Sequence, residues 1–99
     1  MPNLPETIER LKARDIWVVG LEAVRGAQRY DQADLTGPLA LVIGSEGEGL
    51  RRLVQERCDR MVQLPMVGNV TSLNAAVAGS IVLYEAWRQR AATQRTERR

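Results

Sequence analysis

The sequence predicts an α/β protein built on a parallel sheet, and three features carry that reading. Leu39 to Ile43 (LALVI) is an apolar run without alternation, which suits a strand buried on both faces. Ile16 to Leu21 (IWVVGL) is a second charge-free run, rich in β-branched and aromatic residues. Met61 to Leu64 is a shorter third run, stopped by Pro65, which lacks the N–H that a central strand needs. Helical patterns lie before and between these runs. A chain of 99 residues has room for a single core, so residues 1–99 form one domain, with a basic tail over 91–99.

The first helix is expected from about Pro5 to Arg14, where Leu4, Ile8 and Leu11 recur at helical spacing and Pro5 and Glu6 suit a first turn. After the strand at Ile16 to Leu21, residues Glu22 to Pro38 turn polar and include Gly26, Gly37 and Pro38. They read as a long surface connection with a helical turn around Gln32 to Leu35. Beyond the second strand, Leu50, Leu53, Val54, Arg57 and Cys58 mark one face of a helix that turns Arg51, Arg52 and Glu56 outward and ends near Asp59. Ser72 then caps a last helix, Leu73 to about Arg90. Its first half carries few polar side chains and is expected to be buried nearly all round. Gly79, in the middle of that helix, costs about 1 kcal/mol relative to alanine, so a close approach of another element is expected there. Tyr84 and Trp87 extend the apolar face, either toward a partner or over the domain's own core.

Between strand and helix, Gly44 to Gly49 (GSEGEG) places three glycines and two carboxylates where ligands of parallel sheets bind, beyond the carboxyl end of a strand. The order G-x-x-G-x-G matches neither the dinucleotide fingerprint nor the Walker pattern. Glu46 and Glu48 stand where a phosphate requires N–H groups and positive charge. A ligand with hydroxyls and a cationic centre fits better, and S-adenosylmethionine has a ribose diol and a sulfonium. The alternative is a tight turn that uses glycine for backbone reasons alone. A small phosphate-binding nucleotide module is a third reading, disfavoured by the carboxylates.

Composition narrows the field. The single cysteine, Cys58, permits no intrachain disulfide, and without histidine there is no Cys/His cluster to hold a metal. Cytoplasmic localisation is expected, with no membrane span. The absence of histidine leaves proton transfer to Glu, Asp, Lys, Arg or water. Thirteen arginines and one lysine give a net charge of +2, with much of the excess after Trp87. Such an end either meets nucleic-acid phosphate or is a frayed, solvated terminus. Two Trp, two Tyr and no Phe cannot build the stacking platform of an RNA-recognition domain.

GSEGEGL at Gly44 to Leu50 and LPMVGNVTSLNAAVAGSIVLYE at Leu64 to Glu85 together resemble the second and third motifs of the SpoU-type (TrmH-like) RNA ribose 2′-O-methyltransferases, of the SPOUT class. Their order matches, with a helix and a strand between. The resemblance implies a parallel-sheet SPOUT-type fold with a carboxyl-terminal trefoil knot, amino-terminally truncated. It implies a homodimer that binds S-adenosylmethionine and acts on RNA, ribosomal more than transfer RNA. It places cofactor contacts at Gly44, Leu64, Met66 and Leu73, and catalytic or positioning roles at Glu46, Ser72 and Asn74. Ser72 has a plain capping role as its other reading. The family's first motif, with an asparagine and an arginine that activates the ribose hydroxyl, has no match here; Arg25 and Arg29 carry no motif that makes them substitutes. A catalytically inactive, dimerising or RNA-binding remnant of the same fold is therefore the alternative.

Overall fold

The computed structural model describes residues 3–44, 50–65 and 72–97, and of 72–74 and 95–97 the backbone alone. Helix α1 (Leu4–Ala13) leads into β1 (Trp17–Leu21), followed by β2 (Gln28–Arg29), β3 (Leu39–Ile43), α2 (Arg52–Arg57), β4 (Arg60–Gln63) and α3 (Ser72–Glu97). The strands form one sheet in the order β2-β4-β1-β3, and every pairing is parallel. The predicted α/β class and all three predicted strands are present. The expected carboxyl-terminal knot is not visible among the described residues, which do not include 45–49 and 66–71.

Local chemistry accounts for the element ends. The Asn3 side chain accepts the Glu6 N–H at 3.2 Å and caps α1. At the other end the N–H groups of Asp15 and Ile16 bond back to Lys12 and Leu11, a Schellman closure that holds Asp15 at φ 61°. Helix α2 stops at Arg57. Asp59 then joins the sheet: its carboxylate accepts the Val18 N–H at 2.7 Å, and its own N–H donates to Val18 O at 2.7 Å.

The central strand β1 divides the core. Val18 faces a cluster with Ile8, Leu50 and Val54, so α1 and α2 cover one face of the sheet. Val19 faces the other, with Val62, Ala78, Val82 and Ala86, so α3 covers that one. Val18, Val19, Val62 and Val82 are fully buried or nearly so. Each such side chain contributes about 1.5–3 kcal/mol through the apolar surface it removes from water.

Several expectations need correction. Strand β3 is half-buried rather than buried on both faces, because it pairs only with β1 and forms an edge of the described sheet. The connection 22–38 contains β2, and around Gln32 it makes a hydrogen-bonded turn rather than helix. It is also not confined to the surface, since Ala33 and Leu35 are buried against α3. Leu53 points outward, 48% exposed; α2 is too short to bury more than the line of Leu50, Val54 and Cys58. The first half of α3 buries one stripe only. Ala78, Val82 and Ala86 face the sheet, whereas Val77, Ile81 and Leu83 are exposed. The helix also runs on to Glu97, through the segment read as a frayed tail.

Two features tie α3 down. A Cβ built on Gly79 would lie 2.6 Å from Ile43 Cδ1, so glycine lets the helix sit close to β3. Ten residues further, the Gln89 side-chain carbonyl accepts the Leu35 N–H at 2.8 Å, and its amide donates to Ala33 O at 3.0 Å. Gln89 also donates to Glu85 at 2.8 Å, while Arg88 grips both oxygens of that carboxylate at 2.8 Å. These bonds, the Arg88 one foremost, hold the Glu85 carboxyl below its ordinary value of 4.5.

Gly79→Ala is expected to change stability by less than about 0.5 kcal/mol, since helix propensity gained is spent on displacing Ile43 Cδ1. In an Ile43→Val background that atom is gone, and the same substitution should stabilise by about 1 kcal/mol; urea denaturation of the four proteins measures the coupling. For Glu85, the depressed native value means that its contribution is complete above the unfolded value and is lost as pH falls through the folded one. Glu85→Gln should flatten the acid limb of the stability curve. Gln89→Leu should cost about 1–3 kcal/mol by orphaning the Leu35 N–H.

Candidate functional site

Parallel strands put all their carboxyl ends on one edge, and the register fixes what meets there. Leu21 is paired with Ile43 on one side and Val62 on the other. Gly44 and Leu64 therefore flank the end of β1, one strand spacing to each side and about 10 Å apart. Helix α3 runs antiparallel to β3: Gly79 lies beside Ile43, whereas Arg90 donates at 2.6 Å to Gly37 O, ahead of that strand. The first residue of α3, Ser72, is seven positions before Gly79, about 10 Å further along the axis. The helix thus begins on the same edge, where its first N–H groups and its positive dipole end favour electron-rich ligand atoms.

The expected site residues divide accordingly. Gly44 is half-buried and Leu64 buried, both at strand ends on this edge. The backbones of Ser72, Leu73 and Asn74 form the first turn of α3, and their side chains are not described. Glu46 and Met66 lie outside the described residues.

Sequence reasoning missed Glu22. One of its carboxylate oxygens accepts the Leu50 N–H at 2.8 Å, and the other accepts from the Gln55 amide at 3.0 Å. Gln55 in turn donates to Leu50 O at 2.7 Å. The exit of the acidic loop is thereby fastened to the end of the central strand. Nothing local in the sequence pairs position 22 with 50 and 55; a carboxylate just after an apolar strand was the available signal. The chain then turns at Val24 to Ala27, closed by the Ala27 N–H to Val24 O bond at 3.0 Å, with Gly26 at φ 87° as a type II turn requires. Gln63 holds the far side of that turn, donating to Ala27 O at 2.8 Å.

Other polar groups are engaged elsewhere. Arg29 is paired with Asp31 at 2.8 Å. Burial, with Asp59 adding to it, pushes the Cys58 thiol above its ordinary value of 9.0, and the side chain packs against the cluster of Ile8, Val18, Leu50 and Val54. A cavity of about 190 Å³ is lined by Trp17, Asp34, Thr36 and Arg60, among others, at the amino edge of the sheet. There the Arg60 guanidinium lies 4.9 Å from the Trp17 ring centroid. The cavity is on the opposite edge from the described strand ends at Gly44 and Leu64. Among the described residues no helix is long and apolar enough to cross a membrane.

Comparison with known proteins agrees with this architecture. The 23S rRNA (guanosine-2′-O-)-methyltransferase RlmB of Pseudomonas syringae pv. tomato is 48% identical over 93 residues, covering 94% of this chain and 37% of that protein. Its counterpart in Pseudomonas putida is 52% identical over 88 residues, covering 89% of this chain and 35% of that one. The A. aeolicus TrmH/SpoU tRNA modifying enzyme superposes with a TM-score of 0.80 at 32% identity, over 95% of this chain and 48% of that one. The SpoU methyltransferase AviRb of Streptomyces viridochromogenes, solved with AdoMet, gives 0.76 at 38% identity, over 92% and 38%. The chain thus spans about a third of the length of these curated relatives. A model of the SpoU rRNA Methylase family matches residues 1–84, and the chain belongs to that family.

Proposed function

We propose that this chain binds S-adenosylmethionine at the carboxyl edge of its sheet and serves the transfer of the methyl group to a ribose 2′-hydroxyl of RNA, ribosomal RNA in preference to transfer RNA. The observation that carries this reading is the convergence of three strand ends and the start of α3 on one edge, in a chain of the SpoU family. The two RlmB relatives are named for 23S rRNA and the A. aeolicus enzyme for tRNA, and the AviRb structure holds AdoMet.

The chemistry available at the edge fits the group. The cofactor supplies an electrophilic methyl on a sulfonium, and it carries no phosphate, in keeping with a loop that has Glu46 and Glu48 in place of basic residues. In this reading Gly44 and Leu64, with Met66 and Leu73, hold the adenine through backbone groups. Asn74 hydrogen-bonds within the site, Glu46 positions Asn74 or the ribose, and Ser72, which α3 takes in as its first residue rather than as its cap, stands beside the ligand. Glu22 holds Leu50, the residue that follows the segment bearing Glu46. The protein's part is orientation: a ribose hydroxyl is a poor nucleophile at neutral pH, and alignment of acceptor and methyl lowers the barrier.

The same reading makes the chain a homodimer through α3. Val77, Ile81, Tyr84 and Trp87 are all at least 41% exposed, and the Tyr84 and Trp87 rings lie 5.5 Å apart. Both aromatic side chains thus stand away from the domain's own core. Large apolar side chains left in one row on a helix favour burial against another surface.

The second reading is a catalytically inactive, dimerising or RNA-binding remnant. It makes the chain a binding module of the same fold that does not turn over. Calorimetry with S-adenosylhomocysteine should show binding at about millimolar affinity or tighter, and a folded sample that takes up none overturns the cofactor site. Radiolabel transfer to ribosomal RNA then separates the two readings, since only the first yields product. Glu22→Ala should weaken S-adenosylhomocysteine binding about tenfold, the equivalent of one lost hydrogen bond.

A further inference from the structure

We propose that Arg25 and Arg51 are phosphate contacts that hold the backbone of single-stranded RNA across the carboxyl edge of the sheet. The inference rests on the reading of that edge as the methyl-transfer site and adds the residues that seat the substrate.

Most of the described guanidinium groups already have a partner. Arg52 is paired with Glu56 at 3.3 Å, Arg57 with Glu9 at 3.3 Å, and Arg90 donates to Gly37 O at 2.6 Å. Arg25 and Arg51 are exposed and have no side-chain partner among the described residues. Arg14 shares that condition, but it sits at the end of α1, ahead of β1, on the amino edge.

Position and rigidity single out the first two. Arg25 is the second residue of the Val24 to Ala27 turn, whose backbone is fixed by its own hydrogen bond and by Gly26 at φ 87°. Arg51 follows Leu50, whose N–H is held by Glu22. Glu22 lies three residues before Arg25, so one carboxylate ties both arginine-bearing segments to the end of β1. The same carboxylate is consumed by Leu50 and Gln55. Two cations are thus presented from anchored backbone, beside the edge that is to receive a ribose. In RNA that ribose is flanked by phosphates, which the planar guanidinium fork matches.

The test measures binding of a short single-stranded RNA oligonucleotide to the full chain by fluorescence anisotropy over a range of salt. Each neutralised phosphate contributes about 0.7 to the slope of log K against log salt. Arg25→Ala and Arg51→Ala should each lower the slope by about 0.7, and the double variant by about 1.4. The lysine variants should keep it, Arg14→Ala should leave it unchanged, and S-adenosylhomocysteine affinity should be the same in all. Unchanged slopes in both variants, an equal fall in Arg14→Ala, or a fall in S-adenosylhomocysteine affinity without change in RNA binding overturns the assignment. So does the absence of RNA binding by a chain that still takes up S-adenosylhomocysteine, and in that case the cofactor reading stands. Arginine-dependent RNA binding without uptake of S-adenosylhomocysteine upholds the assignment and overturns the cofactor reading.

Discussion

The constraint on which the structure depends is the parallel pairing of β1 with a neighbour on each side. Parallel strands cannot be joined by tight hairpins, so each connection must cross the sheet or wrap its end. That requirement puts α2 between β3 and β4 and the long segment 22–38 between β1 and β3. It also gathers every carboxyl end on one edge. Ligands of parallel sheets bind beyond that edge, which is why the proposed site is placed there.

Helix α3 sets how that edge is closed. Beyond its apolar stripe it is fixed at two distant points, against β3 through the missing side chain of Gly79 and against the segment ahead of β3 through Gln89. The first is a steric permission and the second a polar clasp, and together they fix the direction of the helix against β3. With the direction set, the first turn of α3 faces the strand ends. Glu85 and Arg88 support the clasp by holding the Gln89 amide on its other side. A surface ion pair alone adds little stability, but this carboxylate is only 7% exposed and bonded from both sides.

The sequence made β1, β3 and most of β4 legible because they contain short apolar runs, whereas β2, Gln28–Arg29, has no apolar residue to mark it; the ends of α1 and β4 were legible because Pro5 and Pro65 have few permitted places. It also signalled the close packing at Gly79, since a glycine inside a helix needs a reason. What it concealed depends on contacts between distant residues. Ala33 and Leu35 sit in a polar stretch, and only the Gln89 clasp shows that they belong to the core. Leu53 fits the helical period as well as Val54 does, yet the brevity of α2 leaves it outside. Val77 and Ile81 look like core by composition, and they are exposed because a helix on a sheet buries one stripe. The second motif suggested a ligand at Gly44, but Glu22 had no motif of its own.

The Glu22 carboxylate gives the carboxyl edge a division of labour. An acidic side chain beside a loop that already holds Glu46 and Glu48 adds repulsion unless it is neutralised by donors. Here the Leu50 N–H and the Gln55 amide supply two, so the charge is spent on geometry rather than displayed to a ligand. The segments that Glu22 joins then carry Arg25 and Arg51, whose charges are not spent on the described part of the fold. An anion approaching this edge meets those two guanidinium groups outside an internally compensated carboxylate. In the proposed function, the cationic centre is answered by Glu46 and Glu48, which the sequence places between Gly44 and Leu50. Under the two proposals, ligands of opposite charge are told apart on one short edge, as a methyl donor and a nucleic-acid acceptor require.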